Sequence, residues 1–130
     1  MTKYFIAICD DEEPIRSLLG EWIRTSKYNA EVREYSSGKE LLNAVDEGLR
    51  VDVLLLDIAM NESDGLETAK ELGQRIEATG KSMRASRPLI IFVTGIPDRM
   101  GDAFDVKAFD YLLKPVARDV LEIELLRAIE

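Results

Sequence analysis

The sequence contains no histidine and only one cysteine, and these shortages exclude several kinds of chemistry. Without histidine the chain can form no Ser-His-Asp triad, no histidine general base and no histidine-ligated zinc site. Cys9 cannot form an internal disulfide, and its apolar neighbours indicate a small buried residue in a reducing compartment. Asp10 interrupts the first apolar stretch, so the start of the chain resembles neither a signal peptide nor a membrane span. We therefore expect a cytoplasmic protein.

Basic residues are also scarce relative to acidic ones. The 130 residues include 17 Lys and Arg against 25 Asp and Glu, which gives a formal net charge of −8. A negative domain is repelled by nucleic-acid phosphates and by anionic lipid surfaces. We therefore expect no direct contact with nucleic acid and no membrane attachment. The length is that of one domain, and no repeat or boundary is visible, so we expect a single domain over residues 1–130.

Five short apolar runs alternate with segments whose apolar residues recur at helical spacing. The third run is almost wholly apolar, which is typical of a central strand buried on both faces of a parallel sheet. Strands that alternate with helices in this way predict βαβ units and a parallel sheet covered by helices on both faces. The predicted strands are Tyr4–Cys9, Ala30–Tyr35, Val51–Leu56, Leu89–Val93 and Ala108–Leu113, and the predicted helices follow Pro14, Ser36 or Ser37, Gly65, Pro97 (near Arg99–Asp105) and Pro115.

Polar side chains follow four of the five predicted strands. Functional residues in a parallel α/β sheet gather beyond the carboxyl ends of the strands, so these side chains are predicted to meet at one edge. Each of them alone has a plainer interpretation, as a helix cap, a turn residue or a solvated surface charge. The joint pattern is much harder to explain in that way. The residues are Asp10 and Asp11 after the first strand, Asp57 after the third, Thr94 after the fourth and Lys114 at the fifth.

This set of side chains suits phosphoryl transfer with a divalent cation. Clustered carboxylates repel one another unless a cation lies among them, and their hard oxygen atoms suit Mg²⁺. A carboxylate such as that of Asp57 can then attack an activated phosphoryl group and form an acyl phosphate. Phosphoryl transfer needs mainly positioning and charge neutralisation. Lys114 can supply part of that charge, and the Thr94 hydroxyl can donate to a phosphoryl oxygen.

The chain resembles the receiver domains of two-component response regulators over nearly its full length. The resemblance implies a flavodoxin-like α/β fold, a doubly wound five-stranded parallel sheet in the strand order 2-1-3-4-5 with five helices. The Lys-Pro at the end of the fifth strand is the most diagnostic of the matching residues. The matching stretches are Asp10-Asp11, Leu54 to Met60, Asp64-Gly65, Thr94 and Asp110 to Pro115.

The resemblance assigns a phosphorylation site and a metal site. It implies that Asp57 accepts a phosphoryl group from a histidine kinase or from acetyl phosphate. Asp11 and Asp57 would ligate Mg²⁺ (or Mn²⁺) directly, together with the backbone carbonyl of Ala59. Asp10 would act on the metal through water. The domain would phosphorylate itself from a donor without being a turnover enzyme.

The resemblance also assigns a switch. Thr94 and Lys114 would contact the phosphate, and the Lys114–Pro115 peptide bond is expected to be cis. Thr94 and Tyr111 would form the switch pair, in which Tyr111 rotates inward as Thr94 approaches the phosphoryl group. The output would be a repacked face made of the fourth helix, the fifth strand and the last helix. This face would control an output domain or partner, or form a homodimer.

Three residues depart from the family pattern. Asn61 stands where the family commonly has proline, which removes a constraint from the loop after Asp57. Ala59 and Ile96 stand where polar side chains can orient the water that hydrolyses the acyl phosphate. Neither side chain can hold a water molecule, so we expect slow self-dephosphorylation.

Several alternatives remain open at this stage. A pseudo-receiver that only binds partners would lack phosphorylation. A Mg²⁺-dependent phosphatase similar to haloacid dehalogenases would place its nucleophile in an Asp-x-Asp motif, whereas Asp10 and Asp11 are adjacent. The basic stretch Gly80–Arg87 is either a solvated loop or a docking site for an acidic partner. The chain is either a stand-alone receiver or part of a longer regulator with an effector domain beyond Glu130.

Overall fold

The structure is a computed structural model that describes residues 2–78, 87–99, 101–102 and 106–130. The predicted loop Gly80–Arg87, apart from Arg87, and much of the predicted helix Arg99–Asp105 lie outside the described residues. The described part contains four of the five predicted α-helices, and a short 3₁₀ turn at Pro97–Arg99. The elements are β1 (Tyr4–Cys9), α1 (Glu13–Arg24), β2 (Ala30–Tyr35), α2 (Gly38–Asp46), β3 (Val53–Leu56), α3 (Gly65–Ala78), β4 (Leu89–Thr94), β5 (Asp110–Leu113) and α4 (Arg118–Ile129).

The five strands form one parallel sheet in the order β2-β1-β3-β4-β5. This order confirms the predicted doubly wound sheet. All four residues of β3 are buried, because β1 and β4 flank the strand and helices cover both of its faces. The apolar third run of the sequence therefore does mark the central strand. All five carboxyl ends meet at one edge of the sheet, which is called the carboxyl edge below.

The alternation of side chains along the strands creates two separate cores. One core contains Ala7, Leu54 and Phe92 and is covered by α2 and α3. The other contains Ile8, Leu55 and residues of α1 and α4. Successive strand residues point to opposite faces, so each strand contributes to both cores. The sole tryptophan, Trp22 of α1, packs at the border of the second core.

Two predicted strand starts were wrong. β3 begins at Val53 rather than Val51, because the Asp52 carboxylate accepts a hydrogen bond from the Phe5 backbone N–H at 2.8 Å and so replaces a ladder carbonyl. β5 begins at Asp110 rather than Ala108, because Lys107 has a left-handed backbone with φ of 59° and turns the chain just before the strand. β4 in turn continues one residue further than predicted, through Thr94.

The helices begin where the sequence signals place them. Pro14 lies in the first turn of α1, where a missing N–H leaves no hydrogen bond unmade. Ser37 caps α2, since its hydroxyl oxygen accepts a hydrogen bond from the Glu40 N–H at 3.2 Å. Within the described part of the chain, none of the helices combines the length and apolar character needed to cross a membrane.

Candidate functional site

Two aspartates lie buried at the carboxyl edge, one at the end of each central strand. Asp10 follows β1 and Asp57 follows β3, and each is only 2% exposed. The strand pairing carries them there: the Asp57 N–H donates to the Cys9 carbonyl at 2.9 Å, and the Asp10 N–H donates to the Tyr35 carbonyl at 3.0 Å. The neighbouring Asp11 is half-buried. The two buried carboxylates therefore share one small region beyond adjacent strands.

Lys114 reaches this region from the end of β5. Its Nζ lies 2.9 Å from Asp10 Oδ2, 3.0 Å from Asp57 Oδ2 and 3.2 Å from Glu12 Oε1. The Lys114 backbone N–H donates to the Thr94 carbonyl at 2.9 Å, which fixes the residue beside β4. Burial alone would lower the pKa of Lys114, but hydrogen bonds and charge from Asp10 and Asp57 raise it above its ordinary value. The ammonium group therefore stays charged among the carboxylates.

One ammonium group does not compensate the negative charge around Asp57. Burial is the main cause that raises the pKa of Asp57 to about 6; the hydrogen bond from Lys114 opposes this rise, and the charge of Asp10 adds to it. Asp10 Oδ2 is buried, and its contact with Lys114 Nζ is an ion pair that lacks good hydrogen-bond geometry and is shared with Asp57 and Glu12. The region therefore carries more negative charge than Lys114 neutralises, and its carboxylate oxygens suit a further cation.

The oxygen atoms are arranged as a divalent cation would require. Asp10, Asp11, Glu12 and Asp57 each place a carboxylate oxygen within 4.8 Å of the others. An all-oxygen donor set suits Mg²⁺ or Mn²⁺ rather than a soft metal. This donor set, whose buried Asp10 oxygen shares one ammonium group with two other carboxylates, fits a magnesium site. The backbone of the loop after Asp57 adjoins it, since the Asn61 N–H donates to Asp11 Oδ2 at 2.7 Å.

Gly65 lies directly behind Asp57 and has no room for a side chain. A Cβ atom on Gly65 would lie 2.0 Å from the Asp57 carbonyl oxygen and 2.8 Å from Ile58 Cα. The Gly65 N–H donates to the Ile58 carbonyl at 2.7 Å, which brings the start of α3 against the loop. Asp64-Gly65 is one of the stretches that carry the resemblance to receiver domains. The steric reason for the glycine, the backbone of Asp57, becomes visible only in the fold.

The two predicted switch residues lie on neighbouring strands. Thr94 ends β4 and is fully buried, and its hydroxyl oxygen accepts a hydrogen bond from the Ile96 N–H at 3.3 Å. Tyr111 pairs with Phe92 in the sheet, and its hydroxyl donates to the Ile96 carbonyl. Both residues therefore bind the turn that follows β4.

The remaining predicted positions lie around the same edge. Ala59 and Ile96 are both exposed, on the loops after β3 and β4. The Ala59 N–H donates to Asp57 Oδ1 at 3.2 Å. The peptide bond between Lys114 and Pro115 is cis.

Two further features of the site were missed from sequence. Glu12 was not among the predicted site residues, yet its side chain makes no capping bond to α1 and instead contacts Lys114. Its position next to the Asp10-Asp11 pair was a signal that could have found it. Arg99 forms an ion pair with Asp64 at 3.0 Å, and residues 35 positions apart carry no local pattern that could reveal such a pair.

Comparison with known proteins gives a consistent result. The family model described as "Response regulator receiver domain" matches residues 6–126. The transcriptional regulatory protein BtsR of Escherichia coli K12 is 36% identical over 122 residues, which cover 94% of this chain and 46% of BtsR. The positive alginate biosynthesis regulatory protein of Pseudomonas aeruginosa is 33% identical over 124 residues, which cover 95% of this chain and 46% of that protein.

A solved structure shows the same fold. The chemotaxis protein CheY4 of Vibrio cholerae superposes with a TM-score of 0.81 over 98% of this chain and 99% of that chain, at 22% identity. At this identity the likeness concerns the fold alone. The chain spans about half the length of the curated relatives it matches.

Proposed function

This chain belongs to the response regulator receiver family, and from that premise we propose that it is a phosphorylation-controlled switch with Asp57 as the phosphoryl acceptor. The observation that carries the proposal is the position of Asp57, a buried carboxylate in contact with Lys114 and next to Asp10. We propose, from its membership of the receiver family, that it interacts with a histidine kinase. We propose that this kinase, or acetyl phosphate, is its phosphoryl donor.

The chain's own residues supply most of what phosphoryl transfer needs. With a pKa of about 6, Asp57 is ionised at neutral pH, and one carboxylate oxygen attacks phosphorus as the bond between phosphorus and the donor breaks. Lys114 would then exchange part of its contact with Asp10 for the phosphoryl oxygen atoms. Asp11, Asp57 and the Ala59 carbonyl would hold Mg²⁺ or Mn²⁺, with Asp10 acting through water. When bound, the cation would neutralise charge on the phosphoryl oxygens.

Phosphorylation is tested by intact mass after incubation with acetyl phosphate and Mg²⁺. We expect one phosphoryl adduct, located on Asp57 and absent from Asp57→Asn. Asp46→Asn is the matched control, because this exposed aspartate pairs with Arg75 away from the site. Absence of both an adduct and hydrolysis on the native chain would indicate a pseudo-receiver, and rapid hydrolysis of acetyl phosphate without an accumulated adduct would indicate a phosphatase. We propose neither, and we expect one phosphoryl group per chain, with hydrolysis no faster than slow self-dephosphorylation.

We propose that the acyl phosphate is long-lived. The exposed side chains of Ala59 and Ile96 are apolar and can neither orient nor activate a water molecule near Asp57. Ala59→Asn and Ile96→Glu should therefore speed the loss of the phosphoryl group, together by about tenfold or more. The measurement is the decay of the intact-mass adduct after the donor is removed. A native chain that loses its label as fast as the variants would contradict this proposal.

We propose that the output face comprises β5, the last helix α4 and the helix predicted near Arg99–Asp105. Leu113 of β5 and three residues of α4, Val120, Ile123 and Leu126, are exposed large apolar side chains, 41–56% accessible. Such side chains suit a protein partner, either an output domain or a second copy of the chain. Light scattering measures the molar mass of the domain with and without beryllofluoride, a mimic of the phosphoryl group, and so tests whether phosphorylation produces a homodimer. Ile123→Glu should abolish any dimer, whereas Leu18→Glu on α1 should not.

We further propose that the domain acts in the cytoplasm and makes no direct contact with nucleic acid. The net charge of −8 and the single buried cysteine support these two points. The curated relatives are about twice as long, and BtsR is described as a transcriptional regulator. We propose by analogy that this receiver governs an effector domain.

A further inference from the structure

An ion pair between Arg99 and Asp64 joins two loops at the carboxyl edge. Arg99 Nη2 donates to Asp64 Oδ2 at 3.0 Å, and the two side chains are 34% and 38% exposed. Asp64 belongs to the loop after β3, which carries the phosphoryl acceptor. Arg99 belongs to the turn after β4, which begins directly after Thr94. The pair is thus a direct side-chain link between the acceptor loop and the turn that Thr94 leads into.

Asp64 is held firmly relative to Asp57. Its other carboxylate oxygen, Oδ1, accepts a hydrogen bond from the Leu66 N–H at 2.8 Å, at the start of α3. Its backbone forms a bridge with Ala59, two residues after the acceptor. The next residue, Gly65, packs against the Asp57 carbonyl without room for a Cβ atom. Asp64 therefore cannot shift without moving the acceptor loop.

Arg99 is connected to Thr94 through a short series of hydrogen bonds. The Arg99 N–H donates to the Ile96 carbonyl at 3.5 Å, and the Ile96 N–H donates to the Thr94 hydroxyl oxygen at 3.3 Å. The second partner of Arg99 is Asp102, at 3.2 Å and only three residues away, so that contact is local. The Tyr111 hydroxyl, on β5, donates a hydrogen bond to the same Ile96 carbonyl. Movement of Arg99 would therefore move the whole turn between Thr94 and Arg99.

We infer that the Arg99–Asp64 ion pair positions the turn after β4 so that Thr94 can donate to a phosphoryl group on Asp57. This inference rests on the proposed phosphorylation of Asp57. Arg99 and Asp64 are positioning residues, since neither needs to touch the phosphoryl group. The ion pair draws the turn toward the acceptor loop, and Tyr111 holds the turn from the other side.

The test is the affinity for beryllofluoride, a tetrahedral mimic of a phosphoryl group, measured in the presence of Mg²⁺. Positioning and simple electrostatics make opposite predictions for one variant. Asp64→Asn removes a negative charge near an anion site, so electrostatics alone would tighten binding. Loss of positioning would weaken it, and we expect about two- to fivefold weaker binding, the range of a half-exposed ion pair. Arg99→Gln should weaken binding by a similar factor.

The controls separate this inference from the proposed function. Asp102→Asn removes the local partner of Arg99 and should leave beryllofluoride affinity unchanged. The double variant Asp64→Asn with Arg99→Gln should be no weaker than either single variant, because both remove the same contact. Asp64→Ser serves if Asp64→Asn fails to fold, since serine also supplies an acceptor for the Leu66 N–H.

The possible results are distinct. Unchanged or tighter binding by Asp64→Asn or Asp64→Ser, with normal binding by the native chain, would overturn the positioning role alone. Additive losses in the double variant would overturn it as well. A native chain that binds no beryllofluoride would instead remove the proposed function on which the inference rests.

Discussion

Asp57 is a buried carboxylate whose surroundings only partly compensate its charge. Lys114 contacts it, but the same ammonium group also serves Asp10 and Glu12. Folding without a metal therefore places more negative than positive charge at the carboxyl edge. Burial is the main cause that raises the pKa of Asp57 to about 6, the charge of Asp10 adds to the rise, and Lys114 offsets only part of it.

Removal of this charge should stabilise the metal-free domain. The folded state holds the Asp57 proton up to about pH 6, whereas an unfolded chain releases it near pH 3.8. The contribution of Asp57 to stability is therefore fully present below pH 3.8 and is lost as the pH rises through about 6. At pH 7 Asp57→Asn should raise the free energy of unfolding by up to about 3 kcal/mol. Urea unfolding in EDTA measures this.

The same comparison at low pH provides the control. Below about pH 4 both forms carry a neutral side chain, so the advantage of Asp57→Asn should shrink. Glu67→Gln, at an exposed carboxylate of α3, should change stability by less than about 0.5 kcal/mol at either pH. A destabilised Asp57→Asn at pH 7 would show that Lys114 more than compensates the buried charge.

Two glycines of α3 should respond oppositely to the same substitution. Gly65→Ala places a methyl group 2.0 Å from the Asp57 carbonyl oxygen, so it should destabilise by about 3 kcal/mol or more. Gly73→Ala meets only Arg87, at 3.5 Å, and should stabilise by about 0.5–1 kcal/mol through helix propensity. Thermal unfolding compares the two. Equal changes in stability for the two variants would mean that the backbone around Asp57 shifts to accommodate the added methyl group at little cost.

At the scale of residues, the sequence predicted those that a strand end or a motif marks. Asp10, Asp57 and Lys114 lie in contact, as their strand-end positions indicated. Glu12 was not predicted as a site residue, because an acidic residue at a helix start usually caps the helix. Its side chain does not do so here. Arg99 escaped because its partner is distant in the chain and the contact depends on the shapes of two loops.

At the scale of elements, local capping determines where α2 begins. Ser37 supplies an acceptor for the Glu40 N–H, and the Glu40 carboxylate in turn accepts from the Ser36 N–H at 2.8 Å. These bonds satisfy backbone groups that the helix itself cannot pair. Burial of Leu41 and Leu42 then fixes the helix against the sheet.

Loss of the α2 cap should have a measurable cost. Ser37→Ala should lower the free energy of unfolding by about 1 kcal/mol, because the Glu40 N–H loses its acceptor. Ser36→Ala is the matched control, since the Ser36 hydroxyl bonds only the exposed Glu40 side chain, and we expect less than about 0.5 kcal/mol. Chemical denaturation of both variants provides the measurement. A larger loss of stability for Ser36→Ala than for Ser37→Ala would show that Ser36, not Ser37, caps α2.

Element types were predictable from periodicity, whereas some ends were not. The apolar run identified β3 most clearly, because a strand buried on both faces must be apolar, whereas the edge strand β2 has three charged residues and no fully buried one. The start of β3 depended on the Asp52 carboxylate acting in place of a backbone carbonyl. The start of β5 depended on a left-handed turn at Lys107, a residue type that seldom adopts one. Neither event leaves a pattern in the sequence.

At the scale of the whole molecule, Cys9 should report global opening. It is fully buried in the central region of the sheet, and burial together with the charges of Asp10 and Asp57 raises its pKa to about 12. At pH 8 a thiol reagent should modify the folded domain at least about 10³-fold more slowly than the urea-unfolded chain. Mg²⁺ should slow it further by stabilising the folded state. Rapid modification of the folded domain would indicate local opening of β1.

The position of Trp22 has a practical consequence for optical measurements on this domain. Trp22 lies with the core under α1 and α4, whereas Tyr111 packs against the core on the opposite face of the sheet. A Tyr111→Trp variant would therefore contain two indole fluorophores separated by a layer of backbone. The native indole would add a nearly constant background on the far side of the sheet, and the introduced one would respond to phosphorylation. A change in total emission would therefore report the signalling state at Tyr111.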